Sequence, residues 1–294
     1  MGMIPALFPT QRGSRQGTIL VAVLWILIFL GFLAVVLRMH MSGVVASVRA
    51  AEEKEAVRVL ADAGLEMAAA LVRAGPQDGV GVLPDIIAGS VQTATGSVAI
   101  TATNEALRID INTGARPLIE GGLIAAGASD GAARRIAEDI VTRRGTTTTS
   151  PPQEEPQTPQ QASKEKMLQS VSQLATAASL TNDVALEAER YFTVSSGLEG
   201  ARLDQLDDRV LASIPDIPAN VVKAIRDYRQ GKITRDQMRS AASQVPYYTE
   251  DQAISWRVGL SASLPSGYSE SYEAVVIISP EANAPYLVVD WRRR

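Results

Sequence analysis

The longest apolar segment of the chain runs from Thr18 to Leu37, twenty residues without a charged side chain. As an α-helix it would span about 30 Å, the thickness of the hydrocarbon core of a bilayer. Arg12 and Arg15 precede it, so the positive-inside rule favours a cytoplasmic N-terminus, although Arg38 and Arg49 weaken that bias. A removed secretory signal is the alternative, but its apolar core would be only about 7–15 residues long. The pattern therefore predicts a retained membrane helix.

Beyond this segment, apolar residues recur every three to four positions, as on one face of a helix. They are Val44, Val45, Val48, Val57, Leu60, Leu65, Ala68 and Leu71. Gly75-Pro76 ends the pattern. One continuous helix from Thr18 to Ala74 would be roughly 85 Å long. A break near Ser42-Gly43 would instead give an anchor and a separate helix, and the pattern is compatible with both.

Two regions alternate apolar and polar residues and predict β-strands. The first, Gly96–Ile111, is interpreted as two strands joined at Asn104-Glu105. The second, near the C-terminus, is interpreted as three strands separated by turn residues, at 254–260, 272–278 and 286–291.

Between the strand regions lie two blocks, 108–144 and 199–231, that look like distant copies of one unit. Each pairs a short polar entry with two apolar-faced helices. Between the blocks, 146–166 is rich in Pro, Gln, Thr and Glu and predicts a flexible surface loop. Met167–Leu180 predicts one further helix.

Both blocks also resemble helix-hairpin-helix units, which in other proteins grip DNA backbones through a Gly-rich hairpin. The hairpin of the second block has Asp216 where such a hairpin would need glycine, and a carboxylate there would repel phosphate. The first block carries six basic and five acidic residues and the second five and six, so neither is a cationic patch. The helix-hairpin-helix fold is therefore predicted without DNA binding.

Composition excludes several kinds of chemistry. The 294 residues include no cysteine and a single histidine, His40. Disulfides and thiolate metal sites are therefore excluded, as is most Ser-His-Asp and His-metal chemistry. The net charge of −4 argues against a surface that follows nucleic-acid phosphates. The sequence contains no recognisable catalytic constellation, so an enzyme is not predicted.

Two acidic groups are candidate cation ligands, because Ca²⁺ prefers carboxylate oxygens. Asp204, Asp207 and Asp208 form one group, and Glu250 and Asp251 form the other. Neither is accompanied by a Gly-bearing loop or a fixed ligand spacing. A solvated acidic loop is the alternative interpretation of each group.

Arg15-Gln16-Gly17, followed by Thr18 and the uncharged helix, resembles the prepilin-peptidase site of type IV pilins and pseudopilins. The resemblance implies cleavage after Gly17 and methylation of the new N-terminal Thr18. That family usually has glutamate at the fifth mature position, where this chain has Ala22. The K-type minor pseudopilins (general secretion pathway protein K) of type II secretion are similar in lacking it. Asp110-Ile111-Asn112-Thr113 resembles the opening of their small helical domain.

The Ala22 position has a physical interpretation. A carboxylate in the bilayer costs a few kcal/mol unless it is paired, and in these filaments its partner is the amino terminus of the preceding subunit. A subunit at the tip has no predecessor, so an alanine suits the tip. The alternative is that Ala22 belongs to an ordinary membrane anchor.

The resemblance implies an α+β fold in which a long N-terminal helix packs on an antiparallel sheet, with an inserted all-helical domain of the helix-hairpin-helix or SAM-like kind. The implied organisation is a cytoplasmic leader (1–17), a transmembrane helix (18–37), its periplasmic continuation (38–74), the first strands of the pilin-like domain (75–111), the helical insertion (112–250, with a disordered loop at 146–166) and the C-terminal strands (251–294).

A chain of this family would initiate or cap the pseudopilus and support protein export across the outer membrane. The implied partners are the I- and J-type minor pseudopilins, the major pseudopilin, the prepilin peptidase and inner-membrane lipid, and no nucleic acid is expected. The implied location is the bacterial inner membrane, single-pass, with the bulk of the chain periplasmic. Calcium occurs in the family, so Ca²⁺ is a candidate ligand. A membrane-anchored helix-hairpin-helix module that binds DNA or a peptide is the alternative function.

Overall fold

The computed structural model describes residues 15–75, 84–145, 167–177, 180–279 and 285–294. The chain divides into two compact units, Met1–Arg58 and Val59–Arg294. The predicted loop at 146–166 and most of the leader lie outside the described residues. Helix α1, Arg15–Ala74, is continuous. Of the two arrangements left open by the sequence, the break near Ser42-Gly43 therefore does not occur in its backbone.

The second unit contains a five-stranded antiparallel sheet in the order β1-β2-β5-β6-β7. Its strands are β1 (Ile86–Thr93), β2 (Gly96–Asn104), β5 (Ser255–Ser263), β6 (Ser269–Ile278) and β7 (Tyr286–Arg293). Strand β2 pairs with β1 on one side and with β5 on the other, so Ile100 lies opposite Leu260. Because β5 follows β2 in space but not in sequence, everything between them is an insertion into the sheet.

One face of the sheet packs against the last turns of α1. Alternate residues of the central strands, such as Val98, Ile100 and Leu260, are buried, as is Leu65 of the helix. A Cβ atom built on Gly64 would lie only 2.9 Å from Val98 Cγ2 and 3.0 Å from Leu260 Cδ2. A helix so close to the strands has no room for a side chain there. Glycine therefore stands in the middle of this helix despite its poor helix propensity.

The first strands differ from their predicted arrangement. Strand β1 is not predicted by the sequence, and the hairpin turn lies before Gly96 rather than at Asn104-Glu105. Asn104 instead ends β2, and its side chain accepts the backbone N–H of Ala106 to start one turn of 3₁₀ helix, Glu105–Leu107. A polar residue that caps a helical turn resembles a hairpin signal in sequence. The three C-terminal strands lie where they are predicted.

The insertion is helical. Its helices are α2 (Arg116–Ala125), α3 (Asp130–Gly145), α4 (Leu174–Ala177), α5 (Asn182–Tyr191), α6 (Asp208–Ser213), α7 (Ala219–Arg229) and α8 (Arg235–Ala242). Two short parallel strands, β3 (Ile109–Asp110) and β4 (Phe192–Thr193), join its two halves. Its buried apolar residues, among them Leu123, Phe192 and Leu211, form one core cluster. The predicted α+β fold with a helical insertion is confirmed.

The prediction of one helix at Met167–Leu180 is wrong. The described part of this stretch contains only a 3₁₀ turn, Val171–Gln173, followed by α4. Leu168 is held outside any helix because its backbone N–H and C=O both bind the side chain of Asn112, at 2.9 Å each. Long-range hydrogen bonds thus override the local helical pattern.

The two helix pairs of the insertion are built alike, as the proposed duplication predicts. Gly127 lies between α2 and α3 with a φ of 103°, and Asp216 lies between α6 and α7 with a φ of 56°. At the end of α3 the guanidinium of Arg144 donates to the carbonyls of Ile111 and Gly114. At the end of α7 that of Arg229 donates to the carbonyls of Leu203 and Asp204. In each helix pair, the arginine at the end of the second helix therefore binds carbonyl groups of the loop that leads into the pair.

Candidate membrane anchor and assembly surfaces

The first part of α1 is a candidate membrane anchor. Of the described residues, one helical segment, Leu20–Met39, is long and apolar enough to cross a bilayer, with a mean hydropathy of 3.1 and no residue buried within the protein. Ala22, the predicted tip position, lies in this exposed segment. Gly17 and Thr18, the predicted cleavage site, have helical backbone at the start of α1. An apolar helix that no described part of the chain covers needs lipid or another subunit to cover it.

Within the second unit, the side of α1 that faces away from the sheet carries an apolar stripe. It comprises Val59, Ala63, Met67, Ala70 and Ala74, all exposed. On a helix of 3.6 residues per turn these positions fall within about 80° of one another. Asp62, Glu66 and Arg73 border the stripe on one side. We call these five residues the α1 stripe; its three alanines would let a second helix approach closely at their positions.

The side chain of Asp110, the first residue of the Asp110-Ile111-Asn112-Thr113 motif, connects two segments of the insertion by hydrogen bonds. Asp110 is almost fully buried, and one of its oxygens accepts the backbone N–H groups of Asn112 (2.7 Å) and Thr113 (3.1 Å). The other accepts the N–H of Gly197 (2.8 Å) and the hydroxyl of Ser196 (3.1 Å). The carboxylate therefore ties the entry of α2 to the segment that follows β4, and it has no oxygen directed at solvent or ligand.

A network of ion pairs joins the sheet to the insertion. Glu105, fully buried, accepts from Arg257 of β5 at 2.8 Å, and Arg257 also binds Glu273 of β6 at 2.6 Å. Arg292 of β7 contacts Glu273 at 3.7 Å and Glu189 of α5 at 3.4 Å. Burial opposes the charge of Arg257, but the carboxylate of Glu105 raises its pKa above the ordinary value. The helical insertion is thus held against the sheet by charged hydrogen bonds.

The candidate cation ligands of the first acidic group have separate partners. Asp204 is buried beside Arg202, 3.4 Å from its Nε atom. Asp207 is the N-cap of α6 and accepts the N–H of Arg209 at 2.8 Å. Asp208 binds Arg229 at 2.7 Å.

The second acidic group is paired in the same way. Glu250 binds Arg239 at 2.6 Å and accepts the hydroxyl of Tyr248 at 2.8 Å. Asp251 accepts the hydroxyl of Thr249 at 2.8 Å. Burial opposes ionisation of Glu250, but the hydrogen bonds from Arg239 and Tyr248 hold its pKa below the usual value. Over the described ranges, no group of three or more His, Cys, Asp or Glu side chains is placed to hold a metal ion.

Sequence reasoning missed the arginines that organise these sites. Arg257 and Glu105 are separated by 152 positions, and their contact depends on strand pairing that the sequence does not show. Arg144 and Arg229 differ in this respect. Each stands at the end of the last helix of its copy, so an alignment of the two blocks would have shown them as equivalent.

Comparison with known proteins agrees with the fold. No protein-family model matches the sequence, and no curated protein matches it. A chain in the crystal structure of the GspK-GspI-GspJ complex from the type 2 secretion system of enterotoxigenic Escherichia coli is similar in structure, with a TM-score of 0.56 and 10% sequence identity. The match covers 84% of this chain and 99% of that one. The fold implied by the resemblance to K-type pseudopilins is therefore confirmed.

Proposed function

We propose that the chain is a minor pseudopilin of the K type, anchored in the bacterial inner membrane and acting at the tip of the type II secretion pseudopilus. The observation that carries the proposal is the continuity of α1, which begins as an exposed apolar segment and ends as the helix packed on the sheet. The solved relative was crystallised in a complex of three secretion-system proteins. Its likeness supports I- and J-type minor pseudopilins as partners.

Processing by a prepilin peptidase is part of the proposal. Cleavage after Gly17 and methylation of Thr18 would leave an amino terminus directly before the apolar segment of α1. In this topology the leader is cytoplasmic and the second unit periplasmic. The major pseudopilin and membrane lipid are the further partners, since the exposed apolar helix requires apolar surroundings along its full length.

The α1 stripe is the proposed contact with neighbouring subunits, whose own helices would pack along it. The chain has no cysteine, so Ala63→Cys introduces a unique thiol at the centre of the stripe. We expect it to form disulfide-linked heterodimers with an I- or J-type subunit that carries a cysteine in its own first helix. Ser266→Cys, in the exposed turn between β5 and β6, is the matched control and should form none. Equal cross-linking of the two variants would contradict this contact.

The tip position is tested at Ala22. Glutamate at this position would place a carboxylate in lipid with no amino terminus of a preceding subunit to neutralise it, at a cost of roughly 2.5–3.5 kcal/mol. We expect Ala22→Glu to reduce pseudopilus initiation and secretion, and Ala22→Val, which adds no charge, to leave both unchanged. Full secretion by the glutamate variant would contradict placement at the tip.

We propose a structural role rather than an enzymatic one. The support is that both charged side chains lining the cavity described next are bound to other groups of the protein. A cavity of about 250 Å³ is lined in part by Leu107, Arg190 and Asp207. Arg190 binds Glu187, and Asp207 caps α6.

The competing function, DNA binding by the helix-hairpin-helix pairs, is tested by retention of the detergent-solubilised protein on DNA at low salt. Retention that declines with rising salt would favour that function.

A further inference from the structure

Arginine side chains occupy the centre of the acidic cluster where the insertion returns to the sheet. Arg202, of which only 6% of the side chain is exposed, binds Asp85 at 3.1 Å and Asp204 at 3.4 Å. Asp85 directly precedes β1, and Asp204 lies at the entry of the second helix pair. Glu250, whose carboxylate also acts electrostatically on Arg202, is bound by Arg239 at 2.6 Å and lies 3.5 Å from Arg235.

The carboxylate oxygens of this cluster all face hydrogen-bond donors. Those of Asp85 contact Arg202 and the amide of Gln252. Those of Asp204 contact Arg202 and the amide of Gln205. Ca²⁺ needs 6–8 oxygen ligands around it. A calcium ion at this place would have to displace a buried guanidinium.

Each carboxylate of the cluster has a guanidinium partner. Arg202 binds Asp85 and Asp204, and Arg235 and Arg239 contact Glu250, while Arg239 also contacts the exposed Asp236 at 3.6 Å. Burial disfavours the charged form of Arg202, yet Asp204 and Asp85 raise its pKa above the ordinary value. Only 6% of the Arg202 side chain and 3% of the Asp204 side chain are exposed, so a divalent cation added beside this pair would leave excess positive charge in a poorly solvated place.

We infer that these arginines, and Arg202 above all, serve as the counter-ions of the cluster in place of a calcium ion, so that the second unit folds and stays folded without Ca²⁺. The residues do not fit the metal that the resemblance to K-type pseudopilins implies. In this chain the attachment of the insertion to the sheet is therefore predicted to be independent of the calcium concentration.

Thermal unfolding of the full-length protein in detergent tests the inference directly. A ligand present at a hundred times its dissociation constant would raise the Tm by roughly 5 °C or more. We expect the same Tm in millimolar EDTA and in millimolar CaCl₂. A calcium-dependent rise that disappears in Asp85→Asn, Asp204→Asn or Glu250→Gln would overturn the inference. A rise that persists in all three variants would arise outside the cluster and would leave the counter-ion role of its arginines intact.

Two variants test the counter-ion role itself. Arg202→Gln leaves Asp85 and Asp204 buried without their guanidinium partner, and we expect its Tm to fall by roughly 5–10 °C in EDTA and in CaCl₂ alike. Arg209→Gln removes an exposed arginine of the same insertion and should change the Tm by about 1 °C or less. An unchanged Tm in Arg202→Gln would show that the guanidinium is dispensable and would overturn the inference.

Discussion

Both ends of helix α1 are rich in apolar residues, but only one end buries them within the chain's described residues. From Leu20 to Met39 every side chain is exposed. In the second unit, Leu60, Leu65 and Ala68 are buried against the sheet of their own chain. Apolar area removed from water stabilises a structure at roughly 25 cal/mol per Å². Among the described residues, the first segment has no side chain buried in this way.

The difference shows which surroundings each part of the helix requires. The buried stretch alternates with a polar or small exposed side and has the amphipathic pattern of a helix on a globular core. The exposed stretch is apolar on all sides, as is typical of a helix surrounded by lipid or by other helices. The two parts of the helix should therefore respond differently to substitution and to pH.

Charging the exposed stretch should have the largest effect. Each arginine near the bilayer centre costs roughly 3 kcal/mol, so the triple substitution of Leu24, Ile28 and Leu33 by arginine would cost about 9 kcal/mol. We expect the triple variant to be lost from the membrane fraction, whereas the Tm of its second unit should stay unchanged. The control replaces Leu24 by isoleucine, Ile28 by valine and Leu33 by isoleucine. It adds no charge and should stay with the membrane. An arginine variant that remains membrane-bound would contradict the anchor assignment.

Truncating the buried stretch should have the next largest effect and the opposite phenotype. Leu65→Ala opens a cavity between α1 and the sheet and should lower the free energy of unfolding by roughly 2–5 kcal/mol. Met67→Ala, two residues along and on the α1 stripe, should change it by no more than about 0.5 kcal/mol. Both variants should remain in the membrane fraction. Equal destabilisation by the two, measured by denaturant unfolding, would show that the buried and exposed sides of the helix are misassigned.

Acid should distinguish the two parts more weakly. The segment from Leu20 to Leu37 has no ionisable side chain, so its membrane retention should not change with pH. In the second unit, burial opposes ionisation of Glu273, but Arg294 and Arg257 hold its pKa below the ordinary value of a glutamate. A depressed carboxyl pKa stabilises the fold above the unfolded-state pKa, and the contribution disappears as pH falls through the folded-state value.

The measurement is the Tm of the second unit between pH 7 and pH 3. We expect it to fall below about pH 4.5, and Glu273→Gln to lower the Tm at pH 7 and to flatten the acid slope. A slope that is unchanged in Glu273→Gln would assign the acid response to other carboxylates.

Much of the fold follows from local patterns. Strands β5, β6 and β7 and the paired helices of the insertion follow from their periodicity. Strand β1 was not predicted because Gly89 and Ser90 weaken its pattern and its pairing with β2 decides its conformation. Met167–Leu180 was assigned to a helix because its local pattern does not show the long-range contact with Asn112.

The candidate sites were less predictable than the fold. The anchor and the cleavage motif are continuous in sequence, so their residues could be named directly, and the cleavage site stays a prediction. The acidic cluster is different, because its meaning depends on which cations approach it. Asp85 and Arg202 are 117 positions apart, and no spacing rule links them. Carboxylates alone suggested calcium, whereas the folded chain surrounds them with arginine.

The most direct measurement is the intact mass of the protein purified from membranes after co-expression with a prepilin peptidase. The account predicts a chain that begins at Thr18 and carries one N-methyl group, and it predicts that Gly17→Val, which blocks the cleavage site, yields the uncut chain. A mature protein that begins at any other residue would contradict the account. So would a chain that keeps the native Gly17 and yet remains uncut.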